Sequence, residues 1–223
     1  MSQLPLDWSF PTSYATHDFV VTESNQLATN LVTSWHTLPA SDGLLLTGPE
    51  ASGKTHLAHI WAEQNNAAFI SLDQLHATDI DTLFASHKRL VLEAIEDAEA
   101  EPLFHLLQHC KLHRELAVLL TSRIELKTLW VNPADIHSRL CSLAHAHLNA
   151  PDDALLQALF AKSFSDRQLR VDSSVINYLI PRIPRDCASL YRIIARLDEA
   201  ALEKKQAITL PLARRVLEEE SEK

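Results

Sequence analysis

Short continuous apolar runs alternate with helix-period segments from the N-terminal part of the chain to about Asn149. Leu44-Leu45-Leu46-Thr47, Ala68-Phe69-Ile70-Ser71-Leu72, Leu90-Val91-Leu92-Glu93-Ala94-Ile95 and Leu116-Ala117-Val118-Leu119-Leu120-Thr121-Ser122 are the runs. Strands buried on both faces of a parallel sheet read this way, without alternation. Between them Asn25 to Trp35 repeats Leu27, Leu31, Val32 and Trp35 at helical spacing, Thr55 to Gln64 carries Leu57, Ile60 and Trp61 on one face, and Leu103 to Leu112 reads as a further helix. Alternating strand and helix predicts an α/β layered domain with a parallel sheet. After Asn149 the pattern is helical: Pro151-Asp152-Asp153 opens a helix to Ser165, followed by Ser173 to Ile180, Cys187 to Lys204 and Leu210 to Glu220. Acidic residues stand in the first turn of the first of these, where the helix dipole favours them. Only Ala207-Ile208-Thr209 hints at a strand there. The expected organisation is an extended arm over residues 1–10, an α/β domain over 11–148 and a small all-helical domain over 149–223.

Composition adds bounds. The 223 residues are 46% hydrophobic and 22% charged, enough for a packed core. The net charge of −9 argues against a broad phosphate-binding surface, since DNA affinity rests on basic side chains. Cys110, Cys141 and Cys187 are odd in number and far apart, which suggests reduced thiols and a cytosolic setting. No signal peptide or bilayer-spanning run is visible, so the expected location is the cytoplasm, with no membrane partner. His105, His109 and His113 share a helix face, but the simpler reading is a polar face in a chain with 12 histidines. Trp8, Trp35, Trp61 and Trp130 read as packing residues.

The glycines concentrate the chemistry. Gly43, Gly48 and Gly53 are the only three, all within eleven positions. Gly43 reads as the turn feeding the first strand, and the other two frame Gly48-Pro49-Glu50-Ala51-Ser52-Gly53-Lys54-Thr55, a complete G-x-x-x-x-G-K-T loop. Such a loop, between an apolar strand and a helix, cradles phosphate oxygens on backbone N–H groups, while Lys54 reaches the terminal phosphates and Thr55 ligates Mg²⁺. A carboxylate at a neighbouring strand end must help to hold the metal or its water. Glu96 is assigned to the metal and Asp97 to the attacking water. Glu93 is the rival, disfavoured if Ala94 and Ile95 continue the strand. Ser122, at the end of the next run, is placed to touch the terminal phosphate or the water.

These residues resemble the AAA+ ATPases of the DnaA branch, and more closely the DnaA-related regulators of the Hda family, alphaproteobacterial members included. The likeness is carried by Phe19-Val20-Val21 with Asn25-Gln26-Leu27-Ala28, by Gly53-Lys54-Thr55-His56-Leu57-Ala58, by Phe104-His105-Leu106-Leu107, by Asp135-Ile136-His137-Ser138-Arg139-Leu140, and by Phe164-Ser165-Asp166-Arg167-Gln168-Leu169 and Arg196-Leu197-Asp198 with Ile208-Thr209. It implies an AAA+ P-loop fold with a helical lid, and ADP or ATP with Mg²⁺ as ligands. It implies nucleotide contacts from Val20, Val21 and Gly48 through His56, and a role for Arg139 as an arginine finger acting in trans on a neighbouring subunit's nucleotide. The family's lid arginine falls on Ala188, which leaves Arg185 or Arg192 as substitutes and points to weak intrinsic hydrolysis. DnaA continues into a helix-turn-helix domain, whereas here the sequence runs through an acidic stretch to Lys223, so DNA is expected only indirectly.

Gln3-Leu4-Pro5-Leu6 is similar to the short peptide with which Hda proteins dock on the sliding clamp of the replicative polymerase. A proline-stiffened extended segment loses little entropy on binding. The resemblance therefore implies a regulator that docks on the clamp, meets DnaA, and presents Arg139 to DnaA-bound ATP, ending initiation; a homo-oligomer is the other assembly expected. The rival classes are an autonomous ATPase such as a helicase loader, and a nucleotide-gated adaptor without hydrolytic role.

Overall fold

The computed structural model describes residues 14–35, 42–129, 133–204 and 206–221. The arm at Gln3, Leu4, Pro5 and Leu6, together with Trp8 and Trp130, lies outside the described residues.

Among the described residues, five strands form one all-parallel sheet: β1 (Gly43–Thr47), β2 (Ala68–Ile70), β3 (Arg89–Leu92), β4 (Ala117–Ser122) and β5 (Ala144–His147), in the order β2-β3-β4-β1-β5. The β1 strand is central, registered Gly43 to Val118 on one side and Leu44 to Ala144 on the other. Its residues divide between two cores. Leu44 and Leu46 pack with Val32, Leu57, Ile60 and Trp61 of α1 (Glu23–Thr33) and α2 (Lys54–Asn65). Leu45 packs with Leu103, Leu106 and Leu107 of α5 (Ala100–Leu112) and with Ile136 and Leu140 of α6 (Ala134–Ser142). The short helices α3 (Leu72–Ala77) and α4 (Ile80–Leu83) close the β2–β3 connection. Apolar groups on both faces explain why the strands read as continuous runs.

Beyond the sheet, α7 (Asp153–Asp166), α8 (Ser173–Leu179), α9 (Cys187–Lys204) and α10 (Leu210–Ser221) share a separate core built on Leu156, Phe160, Leu190, Ile194, Leu197 and Ala213. Asp152 caps α7, its carboxylate accepting from the Leu155 N–H at 2.8 Å. This α/β sheet domain followed by a helical bundle is the expected fold class.

Four local differences have physical causes. β3 stops at Leu92, because Ala94 takes the left-handed conformation (φ 55°, ψ 48°) and Ile95–Asp97 form a single 3-10 turn. β2 stops at Ile70, because Ser71 and Gln74 cap each other and start α3: the Ser71 N–H donates to the Gln74 side chain at 2.9 Å and the Gln74 N–H to the Ser71 hydroxyl at 3.1 Å. Ala207-Ile208-Thr209 adds no strand; Ile208 instead buries its side chain in the helical core. Gly43 is the first residue of β1 and not a preceding turn. A Cβ there would stand 2.2 Å from the Val118 carbonyl oxygen.

Candidate nucleotide site

The loop leaves the carboxyl end of β1, where parallel α/β sheets bind ligands. Its first N–H, of Gly48, donates to the Ser122 carbonyl at 3.1 Å, which ties the loop to β4. On the other side the Thr47 hydroxyl lies 2.8 Å from His145 Nε2 and 2.9 Å from His147 Nδ1, fastening β5 below the loop. Burial, reinforced by the nearby His147, pushes the His145 pKa down. Ala51 is left-handed at φ 54° and Gly53 lies at φ 100°. Gly53 then N-caps α2 and, as a glycine, offers no side-chain acceptor of its own to the first helical N–H groups. Uncapped N–H groups at a helix start suit an anion. The Ser52 hydroxyl inside the loop is buried and has no hydrogen-bond partner among the described residues. Pro49 and Glu50 form the exposed outer edge.

Lys54 folds back over the loop, its Nζ donating to the Gly48 and Pro49 carbonyls at 2.8 and 2.7 Å. Burial lowers its pKa, nearby Arg123 adds to that, and Glu96, Glu93 and Glu50 oppose it. The Thr55 hydroxyl donates to Glu93 Oε1 at 2.7 Å. A hydroxyl and a carboxylate converging at a P-loop are the donor set that Mg²⁺ takes. The geometry therefore favours Glu93 over Glu96 for the metal. The objection to Glu93 disappears because β3 ends one residue earlier, so Glu93 stands at the strand mouth and not within the strand.

Glu96 and Asp97 turn to another partner. Glu96 Oε1 accepts from the Arg123 backbone N–H at 3.1 Å and from Arg123 Nε at 2.7 Å, while Arg123 Nη2 donates to Asp97 at 3.0 Å. Burial alone would raise the Glu96 pKa, but hydrogen bonds from the Arg123 side chain, the local backbone and the Ser122 hydroxyl bring it below the usual carboxylate range. Ser122 is fully buried, and its Oγ accepts from the Ile124 N–H at 2.9 Å.

A segment before α1 roofs the site. Phe19 sits 3.3 Å from where a Gly53 Cβ would be. His56 Nε2 lies 3.2 Å from the Ala15 carbonyl, with its ring edge-on to Tyr14 and Phe19, and Tyr14 stacks on His59 at 4.0 Å. Burial lowers the His56 pKa. Val20 packs against the helical core, whereas Val21 is 48% exposed. Lys162 of α7 donates to Asp18 at 2.8 Å, so the segment touches the P-loop helix and the helical bundle together. Sequence reasoning missed Tyr14, Asp18, Lys162, Arg123 and the His145–Thr47–His147 trio, because each acts through a partner distant in sequence.

Among the described residues, both candidate replacements for the lid arginine pair away from the loop. Arg185 pairs with Asp153 at 2.9 Å, and Arg192 with Glu220 at 3.4 Å. Ala188 is exposed. Arg139 lies in the last turn of α6, its guanidinium 4.4 Å from the Phe104 ring centroid; among the described residues it has no carboxylate partner. His109 pairs with Asp81 and His105 approaches Glu101, and no group of three potential ligands among the described residues is disposed to hold a metal. The three cysteines are unpaired, and no described helix is long and apolar enough to cross a membrane.

Residues 152–217 match the family model described as the Hda lid domain. An uncharacterized protein of Haemophilus influenzae is 23% identical over 182 residues, covering 76% of this chain and 79% of that protein. Domain III of the Thermotoga maritima replication initiation protein DnaA superposes with a TM-score of 0.80 at 17% identity, over 94% of this chain and 97% of that one. DnaA from Aquifex aeolicus, solved with AMPPCP bound, gives 0.73 at 17% identity over 86% and 67%. The Thermotoga maritima RuvB branch-migration motor gives 0.72 at 17% over 92% and 72%. Residues 152–217 thus carry a lid of the Hda type, and the chain has the fold of DnaA domain III around its P-loop.

Proposed function

We propose that this protein binds ADP or ATP with Mg²⁺ and regulates replication initiation by stimulating hydrolysis of the ATP held by DnaA. Gly48 through His56 would cradle the phosphates, Lys54 would leave the loop carbonyls for the terminal phosphate, and Thr55 with Glu93 would hold the metal. Phe19, Val20 and Val21 would flank the base. The metal would neutralise phosphate charge; the residues themselves bind, orient and shield. The lid and the DnaA-type fold support membership of the replication machinery, in the cytoplasm, and the arm at Gln3-Leu4-Pro5-Leu6 supports docking on the sliding clamp, with DNA met through it.

The observation that carries this reading is Arg139. A guanidinium resting on an aromatic face, with no carboxylate to neutralise it among the described residues, retains its charge for a partner. Presented to a neighbour's nucleotide, it would stabilise the charge that develops during phosphoryl transfer. The partner can be DnaA or, in self-association, another copy.

The test is hydrolysis of DnaA-bound ATP with clamp-loaded DNA. The protein is expected to accelerate it only when the clamp is present. Changing Gln3 and Leu4 together to alanine should abolish both clamp binding and acceleration while leaving nucleotide affinity intact. Clamp binding at wild-type strength by that variant would contradict the assignment of the arm. The second reading, an autonomous ATPase such as a helicase loader, is favoured by one feature, the buried carboxylate of Glu96 near Lys54, and predicts steady turnover without clamp or DnaA.

A further inference from the structure

Three acids stand near the loop, and they differ in what they have left to offer. The Glu93 carboxylate accepts from Thr55 at 2.7 Å. The next position, where a second strand-end acid would orient water, is Ala94 in the left-handed conformation. That turn brings Glu96 back to the end of β4, beside Ser122 and Arg123. The Asp97 side chain is 56% exposed and is tied to Arg123 by one guanidinium nitrogen. The Glu96 side chain is only 4% exposed. Its Oε1 takes both the backbone and the side-chain N–H of Arg123, while its Oε2 is buried and, among the described residues, meets no donor at hydrogen-bond distance. A buried carboxylate oxygen left unpaired costs free energy that a donor would recover. Lys54 is within electrostatic reach, Glu96 being the first of the acids that raise its pKa.

We propose that Glu96 is the carboxylate that orients the attacking water when this chain hydrolyses its own nucleotide, and that Arg123 positions it. The inference rests on the nucleotide-site reading above. Oε2 would accept a hydrogen bond from the water. The water oxygen then bonds to the terminal phosphorus as the bond to the bridging oxygen breaks, the electron pair leaves on the nucleoside diphosphate, and the water's proton passes through Glu96 to the released phosphate. Arg123 acts through Glu96, fixing Oε1 by two hydrogen bonds so that Oε2 keeps one direction. Asp97 helps to hold the guanidinium from its exposed side.

Single-turnover ATP hydrolysis by the full chain, without DnaA or clamp, tests this alongside ATP affinity and thermal stability. Glu96→Gln preserves shape and an acceptor for Arg123, so folding and affinity should be retained. Its hydrolysis rate constant should fall about a hundredfold or more, with ATP affinity unchanged within about threefold. Arg123→Ala should lower the rate constant with little change in affinity, and Arg123→Lys should restore part of it. Glu101→Gln, an exposed change on α5, serves as the control. Wild-type hydrolysis by Glu96→Gln overturns the proposal, as does a loss carried by Asp97→Asn and not by Glu96→Gln. A wild-type chain that binds ATP but never hydrolyses it also overturns it while leaving the nucleotide site standing. Failure of the wild type to bind ATP removes the site reading itself.

Discussion

Replacing Arg139 with alanine is expected to abolish the acceleration of DnaA-bound ATP hydrolysis, a loss of about a thousandfold or more. The side chain sits in the last turn of α6 and rests on Phe104 of α5. It contributes no ion pair to the fold among the described residues, so its removal should leave stability, clamp binding and the chain's own nucleotide affinity near wild type. Such a split separates a residue acting on a partner from one acting in cis. Arg139→Lys should recover little, because an ammonium lacks the planar fork that grips a phosphate through two nitrogens. Comparing initial rates of DnaA-bound ATP hydrolysis over a range of regulator concentrations distinguishes lost chemistry from lost docking. A variant that accelerates like the wild type would end the trans-acting role.

Gly43→Val should produce the largest loss of stability among single changes outside the site. Gly43 faces Val118 across the central β1–β4 pair. A Cβ would meet the Val118 carbonyl oxygen at 2.2 Å and its Cγ2 at 3.1 Å. The first of these atoms is backbone, held in the sheet, so side-chain rotation cannot relieve the overlap. Overpacking of this kind costs about 3 kcal/mol or more, which for a chain of this size lowers the melting temperature by roughly 6–12 °C. Because β1 carries the loop, nucleotide binding should fail along with folding. A thermal scan showing an unchanged midpoint would refute the steric account of this glycine.

That glycine shows where the sequence was legible and where it was not. The confinement of glycine to residues 43–53 pointed correctly to the mouth of β1, and Gly53 at φ 100° meets a conformational demand there. Gly43 meets a steric one, which depends on the strand placed beside it. The strongly apolar strands β1 and β4 and the helices α2, α7 and α9 were readable because burial on both faces, or on one stripe, writes itself into the residue pattern. β5 was not, since Ala144-His145-Ala146-His147 has none of the branched or aromatic residues that mark a strand, and it is held by pairing with β1 and by Thr47. The helices α3, α4 and α6 are too short for periodicity to stand out. Choosing between Glu93 and Glu96 required the end of β3, and that end depends on the backbone of Ala94, which no side-chain pattern announces. The contacts of Asp18 with Lys162 and of Arg123 with Glu96 join segments far apart in the chain, and residue identity alone does not pair them.

The central claim is that the loop from Gly48 to Thr55 holds a nucleoside phosphate, and equilibrium titration of the purified chain with fluorescent ADP and ATP in the presence of Mg²⁺ tests it most directly. The account predicts saturable binding by the wild type, and a loss of about tenfold to a hundredfold in affinity for Lys54→Ala as a charge-assisted contact worth about 1.5–3 kcal/mol disappears. No saturable binding by a folded wild-type chain, or equal affinity in the Lys54→Ala variant, would contradict it.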